Sequence, residues 1–407
     1  MSEVAQVPQL RFPEFNGDLE EKKLDDVGSF KSGTGFTEAE QGGKSGVPFF
    51  KVSDMNLEGN QKVMVSANNY VNDEQIARLN YKPINKKSVI FAKVGAAVFL
   101  ERKRIADSFL IDNNMMAFTP TEDIDFIRQW FDTVRLSKYA QVGALPSYNA
   151  SDLKTIKINL PSLPEQTKIA NFLAAVDTKI EQLSKKQALL GEYKKGLMQQ
   201  IFSQATRFKA DDGSEFPDWE EKKLGDLFSG IKGQGLSKGN ITIDGLNKCI
   251  LYGELYTTYP EVIKNIVSRT NSDDGVKSQA GDLLVPCSTT TTGIDLADVT
   301  AINEDNVLLG GDMSILRLKK DGDSIFFAYY LTHYKKFDLA KYGQGSTIVH
   351  LYYSHFKKID LKFPSSVEEQ TKIANFLSSI DNKIEQVGKQ LDESKQFKKA
   401  LLQQMFV

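Results

Sequence analysis

Three groups of side chains in this sequence have types and spacings from which chemistry could be built. The segments at residues 20–23 and 220–223 both read EEKK. A Glu-x-Lys triplet near an aspartate is a loose form of a metal-dependent nuclease site, in which carboxylates hold the ion and the ammonium meets developing charge. Here the neighbouring aspartates lie too close in sequence, and both segments read as the start of a strand. The run GGKS at Gly42–Ser45 has the end of a phosphate loop, but the glycine required five positions before Gly43 is Glu38, so the cradle is incomplete. His333, His350 and His355 are the only histidines, and none pairs with a cysteine at zinc spacing. No metal site is expected. There is no G-x-S-x-G elbow, no dinucleotide fingerprint and no Asp/Asn-Pro-Pro-aromatic element of an amino-methyltransferase. The chain reads as a scaffold that binds rather than an enzyme.

The bulk properties agree with a binding scaffold. A chain of 407 residues, 41% hydrophobic and 26% charged, predicts two or three globular domains. No run approaches a membrane span and the start MSEVAQVPQL is polar, so the cytoplasm is the expected compartment. Two cysteines, Cys249 and Cys287, fit a reducing environment. A net charge of -2 argues against a strong nonspecific nucleic-acid binder working alone, since phosphate neutralisation needs excess Lys and Arg.

The organising feature is a tandem repeat. EQTKIANFL begins at Glu165 and again at Glu369. DLEEKKLDDV from Asp18 matches DWEEKKLGDL from Asp218, KSGTGF from Lys31 answers IKGQGL from Ile231, and KKGLMQQIF from Lys194 answers KKALLQQMF from Lys398. Each half therefore reads as strand, variable module, strand and long helix. The helical stretches carry apolar residues alternately four and three apart, from Ile169 to Ile201 and from Ile373 to Met405, the spacing of a coiled-coil seam. Ser162-x-x-Glu165 and Ser366-x-x-Glu369 predict capping boxes. Lys194 and Lys398 interrupt both seams at the same place. Their stems are expected to lie along the seam with the ammonium groups reaching water, or else to fix register. Two matching seams related by a pseudo-twofold axis would pack antiparallel, as a spacer about 60 Å long. Phe172, Tyr193, Phe202, Phe376, Phe397 and Phe406 lie off the stripe and are candidates for docking a partner, or for resting on the modules.

The fold expected is mixed α/β (α+β): two globular domains of one fold, residues 1–160 and 206–363, separated by two long antiparallel coiled-coil helices, 161–205 and 364–407. VPFFKVSDM, SVIFAKVGAAVFL, DLLVPC and DMSILRLKK read as strands. IDFIRQWFDTVRLSKYA and IFFAYYLTHYKKFDLAKY read as helices.

At this point the sequence resembles the specificity (S) subunit of type I restriction-modification systems. The resemblance rests on RFPEF at Arg11, KSGTG at Lys31, VPFFKVSDM, LPSLPEQTKIANFL with its repeat, and the terminal QQIF and QQMF. It implies that each module is a target recognition domain reading one half of a bipartite, asymmetric double-stranded DNA site. It implies that the helices set the gap and dock two methyltransferase (M) subunits. Those subunits would bind S-adenosylmethionine and methylate adenine at N6 on a flipped base. Motor-nuclease (R) subunits using ATP and magnesium would complete the assembly, and this chain would hold no cofactor and catalyse nothing. The helices would then be alike because they meet two copies of one partner, and the modules different because they read different words.

Residue type and place nominate DNA contacts. In the first module these are Lys31, Ser32, Thr34, Lys93, Arg102, Lys103, Arg104, Ser147, Tyr148 and Asn149. In the second they are Lys232, Gln234, Ser288, Thr289, Thr290, Tyr342, Gln344, Ser346 and His350. The rival reading is a non-catalytic coiled-coil adaptor whose modules bind proteins; a stand-alone nuclease using Glu220 and Lys222 is a third.

Overall fold

The computed structural model describes residues 7–141, 143 and 145–406. The chain forms two compact units, Met1–Ser184 with Lys389–Val407, and Lys185–Gly388. In each, the EEKK strand closes the module against the strand that leaves it. Glu20–Lys23 runs antiparallel to Lys157–Leu160, and Trp219–Lys223 to Asp360–Pro364. The nuclease-like triplet is thereby a strand surface on which Lys222 pairs with Glu220 at 2.6 Å. Among the described residues no three His, Cys, Asp or Glu side chains gather as metal ligands. No helix among them is long and apolar enough to cross a membrane.

Both modules have the same sheet core. In the first, strands are ordered Gly28–Ser32, Met115–Pro120, Ser88–Ala92, Lys103–Ala106; in the second, Phe228–Lys232, Met313–Leu318, Asp282–Pro286, Thr300–Ile302, Val262–Ile263. Ser88–Ala92 and Asp282–Pro286 are buried at every position, each flanked by a strand on both edges, and Arg317 pairs with the one buried charge, Asp282. The repeated glycines after the first sheet strand have a steric cause. A Cβ on Gly33 would sit 1.7 Å from the Asp112 carbonyl, and one on Gly233 2.0 Å from that of Gly310. A helix packs behind each sheet, started by an aspartate whose carboxylate accepts from a backbone amide at 2.9 Å: Asp123 from Phe126, Asp323 from Phe326. The first of these helices, expected to continue to Ala140, stops at Thr133. There the Val134 carbonyl accepts from Lys103 Nζ at 3.0 Å, and Glu101 takes the amides of Leu136 and Ser137. Tertiary partners outbid further helix.

The nonapeptide EQTKIANFL is the base of each long helix, Leu163–Phe202 and Val367–Met405, and almost all of it is spent inside its own unit. Glu165 forms a bidentate pair with Arg11 at 2.7 and 2.8 Å; Glu369 does the same with Arg207 at 3.3 and 2.9 Å and also accepts from Trp219 Nε1. Gln166 and Gln370 donate to the carbonyls of Pro161 and Pro364 and accept the amides of Asp123 and Asp323. Thr167 and Thr371 donate to the carboxylates of those same aspartates, each at 2.9 Å. Lys168 pairs with Glu14 and Lys372 with Asp211. Ile169, Ala170 and Leu173, like Ile373, Ala374 and Leu377, are buried. Phe172 meets Phe12 edge-on at 5.7 Å, and Phe376 meets Phe208 at 5.4 Å. Only Asn171 and Asn375 are turned to the surface without such a task. Two expectations change. The carboxylates of Glu165 and Glu369 go to arginines instead of completing capping boxes, although Ser366 Oγ accepts the Glu369 amide at 3.3 Å. The identity of the two nonapeptides follows from one docking geometry made twice within the chain.

The long helices pair antiparallel within each unit. In the first, Leu401 and Met405 share a core with Ile169 and Leu173; in the second, Met198 and Ile201 share one with Ile373 and Leu377. The seam lysines end on carboxylates, Lys194 buried and Lys398 partly so. Lys398 Nζ lies 2.7 Å from Asp177, which is also 3.8 Å from Arg128. Lys194 Nζ lies 2.7 Å from Asp381 and 3.0 Å from Glu261, below the Tyr329 ring, and the Tyr329 hydroxyl donates to Asp381. A slip of one helical turn would separate these charges by about 5 Å, so each pair specifies register.

Two predictions follow from the Lys194 cluster. Lys194→Leu removes the cation shared by two partly buried carboxylates and should cost roughly 3 kcal/mol in urea or thermal unfolding; a loss too small to measure would contradict the register role. Burial alone would raise the Glu261 carboxyl, but the hydrogen-bonded His333 and the charge of Lys194 hold it at about 2, below its ordinary 4.5. A depressed acid stabilises the fold above its unfolded pKa and loses that contribution as pH falls through the folded one. Stability of the unit should therefore fall between pH 4.5 and 2, and less steeply in Glu261→Gln.

Candidate nucleic-acid interface

One surface is built the same way in both units and dressed differently. From Lys138 to Pro161 and from Lys341 to Pro364 the two halves align without a gap. In the second, Gln344 and His350 bridge a hairpin through two backbone hydrogen bonds of 2.9 and 2.7 Å, and His350 also faces Ser288 across a two-residue strand pair. In the first, Gln141 bridges to Ser147 at 2.7 Å, and Ser147 faces Val94. Each hairpin leads into a short helix, Ala150–Lys154 or Tyr353–Phe356, whose N-cap is Asn149 or Tyr352. The first sheet strand ends on the same face. The amides of Gly33 and Gly233 bind the carbonyls of Met115 and Met313, so Ser32 corresponds to Lys232 and Thr34 to Gln234.

In the second unit this frame gathers a polar, aromatic patch. Lys232 Nζ lies 5.7 Å over the Tyr352 ring. Tyr352 stacks on His350 at 5.5 Å, and its hydroxyl hydrogen-bonds His350 Nδ1 at 3.1 Å. Ser288 donates to Asp312 at 2.8 Å, and Thr289 is held by Thr291. Lys232, Gln234, Thr290, Gln344 and Ser346 are exposed, His350 and Tyr342 half-buried, and Ser288 and Thr289 buried. A cleft of about 480 Å³ opens beside Lys232, Tyr352 and Ser354. Tyr352 was not singled out from sequence; its place at the N-cap after His350 is the signal that would have found it.

In the first unit Lys31, Ser32 and Thr34 line a smaller cleft, about 200 Å³, with Asn80, Tyr81 and Lys82. Lys31 Nζ donates to the Lys82 carbonyl at 2.5 Å, and burial, then the Lys82 charge, pull it below its ordinary pKa. Ser147 and Lys93 are half-buried and Asn149 exposed on the hairpin side.

Comparison with known proteins bears on what such a duplicated surface is for. The family model described as the type I restriction modification DNA specificity domain matches residues 16–190 and again 217–394. The chain belongs to the type I DNA specificity family. It is a specificity subunit with two tandem specificity domains. The MjaX specificity subunit of Methanocaldococcus jannaschii is 24% identical over 390 residues, covering 90% of this chain and 88% of that protein. The MjaVIII specificity subunit of the same organism is 25% identical over 275 residues, 63% of each chain. Among solved structures, the S subunit from M. genitalium aligns with TM-score 0.61 at 15% identity over 99% of both chains. A chain from a structure of type I assembly and conformational transition aligns with TM-score 0.55 at 17% identity, covering 95% of this chain and 97% of that one. These likenesses establish the fold.

Several residues nominated for the specificity face have other work in the structure. The basic run Arg102–Arg104 is engaged within the chain. Arg102 binds the Asn56 side chain, Lys103 is buried on Glu101 at 2.6 Å, and Arg104 donates to the carbonyls of Asn60 and Lys103. Burial, then the charge of Arg102, lowers the Arg104 pKa. Tyr148 is a core residue whose hydroxyl donates to the Ala92 carbonyl, and burial pushes its pKa up. A strand of alternating orientation turns a charge cluster in sequence into opposite faces in space.

The helix aromatics divide as sharply. Phe202 is 3% exposed, edge-on to Phe326 and Tyr330, and Phe406 packs on Phe126 at 5.2 Å. With Phe172 and Phe376 on their own N-terminal phenylalanines, four of the six rest on the chain itself. Tyr193 and Phe397, equivalent in the repeat, are 55% and 53% exposed. Phe202→Ala should therefore cost about 3–5 kcal/mol of stability, while Tyr193→Ala should leave thermal unfolding within about 0.5 kcal/mol. Equal destabilisation by both would contradict this division.

Proposed function

We propose that each unit reads one half of a bipartite, asymmetric duplex DNA site, and that the chain itself performs no catalysis. The observation that carries this is the shared frame with different side chains: Ser32, Val94, Ser147 and Asn149 in one unit stand where Lys232, Ser288, His350 and Tyr352 stand in the other. Lys232 suits a phosphate or a guanine, the amides of Asn149 and Gln344 suit adenine, and the hydroxyls serve either groove contact. Near-neutral net charge leaves part of the phosphate clamp to partners.

The partners in this reading are two methyltransferase subunits and, in a restricting complex, motor-nuclease subunits. S-adenosylmethionine belongs to the former and methylates adenine N6; ATP and magnesium belong to the latter. The long helices serve as dock and ruler. Their length supports the ruler, at about 60 Å for some forty residues against roughly 34 Å for half-sites one duplex turn apart. The exposed pair Tyr193 and Phe397, with Asn171 and Asn375, supports a dock used twice.

Exchange of residues 21–160 for the matching segment of a relative tests the reading. Mapping of methylated adenines should show one half of the recognition motif changed and the other intact. Change of both halves, or of neither, contradicts independent reading by the two units.

A further inference from the structure

The hairpins on the two faces share a feature that base-edge hydrogen bonding leaves unused. Two residues before the bridging position, each presents a large aliphatic side chain to solvent: Leu145, 64% exposed, before Ser147, and Ile348, 47% exposed, before His350. Single exposed aliphatics are ordinary on protein surfaces. These two differ in occupying one position of a repeated frame at which the neighbouring side chains diverge, Gly143 and Pro146 in one unit answering Ser346 and Val349 in the other. The second hairpin is held in shape from within. Gly345 has φ +120, and a Cβ there would lie 2.0 Å from the Ile348 carbonyl. The turn thus requires glycine at 345 for its backbone to pass the Ile348 carbonyl, and the Ile348 side chain stays exposed. In the first unit Leu145 lies beside Gly95, which starts the turn Ala96–Leu100 bearing Phe99 at 61% and Leu100 at 58% exposure.

We propose that Leu145 and Ile348 are apolar base contacts, one per half-site, each packing on the hydrocarbon surface of the DNA bases while the polar residues around it meet base edges and phosphates. This rests on the reading that the two faces meet DNA. The ligand chemistry is the apolar part of a base, offered either by a thymine methyl in the major groove or by a base face at an opened step.

The test uses the full chain assembled with its methyltransferase subunits and a duplex carrying the motif found by methylation mapping. Ile348→Ser and Leu145→Ser should each lower affinity about tenfold, the scale of one aliphatic side chain left unburied. The dependence of log affinity on log salt should not change, because no phosphate contact is lost. Lys232→Ala, in contrast, should reduce that slope by about one. Ile348→Leu should restore most of the affinity, and thermal unfolding of all these variants should match the parent. Replacing thymine by uracil along each half-site reads the methyl source: the parent loses affinity and the serine variant loses no more. 2-Aminopurine at successive steps reads the base-face source: fluorescence rises with the parent and not with the variant. A parent that binds selectively and serine variants that bind equally well overturn this inference alone. Loss of affinity with neither base response places the side chains on sugar and overturns it too. A parent complex without sequence-selective binding overturns the DNA reading itself, and this inference with it.

Discussion

Everything else in each unit is hung from a buried carboxylate at the foot of a long helix. Glu165 holds Arg11, and Glu369 holds Arg207, in a two-pronged ion pair that fixes the segment before the module to the helix after it. The next residues, Gln166 and Thr167 or Gln370 and Thr371, bind the aspartate that starts the helix behind the sheet. Three pieces of chain distant in sequence are thereby locked at one point. A two-pronged charged pair can bear this burial, whereas either partner alone could not. The helix behind each sheet is thereby tied to the foot of the long helix.

The joint explains why two halves with little in common between their edges keep the same architecture. Function needs the surface residues to vary, and a fold tolerates this only where variation is confined to positions with no packing role. Ser32 and Lys232, Ser147 and His350, Asn149 and Tyr352 are such positions: exposed or half-buried, on strand ends and hairpins whose geometry is set by backbone hydrogen bonds and by Gly33 and Gly233. A recognition surface on a rigid frame loses little entropy on binding.

Much of the fold was legible in the sequence because its signals were periodic or duplicated. The seam from Ile169 to Ile201, the strands DLLVPC and DMSILRLKK, and the pairing of repeated segments all follow from spacing. What stayed hidden was the direction in which single side chains point and the partners they find. Lys194 and Lys398 have the composition of snorkelling residues, yet Asp381 and Asp177, nearly two hundred or more positions away in sequence, receive them along the seam. Arg102–Arg104 reads as a basic patch until the carbonyls of Asn60 and Val134 and the carboxylate of Glu101 are seen beside it. Tyr352 was passed over because nothing local marks it; it gains meaning from Lys232 and His350, which the fold brings to either side.

The central claim is that this chain supplies the sequence selectivity of a DNA-modifying complex through two independent surfaces. Its most direct test is a methylome. The methyltransferase subunit would be expressed in a methylation-free host with and without this chain, and modified bases read by long-read sequencing. N6-methyladenine is expected on both strands of a two-part motif with a fixed gap, present only when this chain is expressed. An unmodified genome despite a stable, purified complex, or the same modification without this chain, would contradict it.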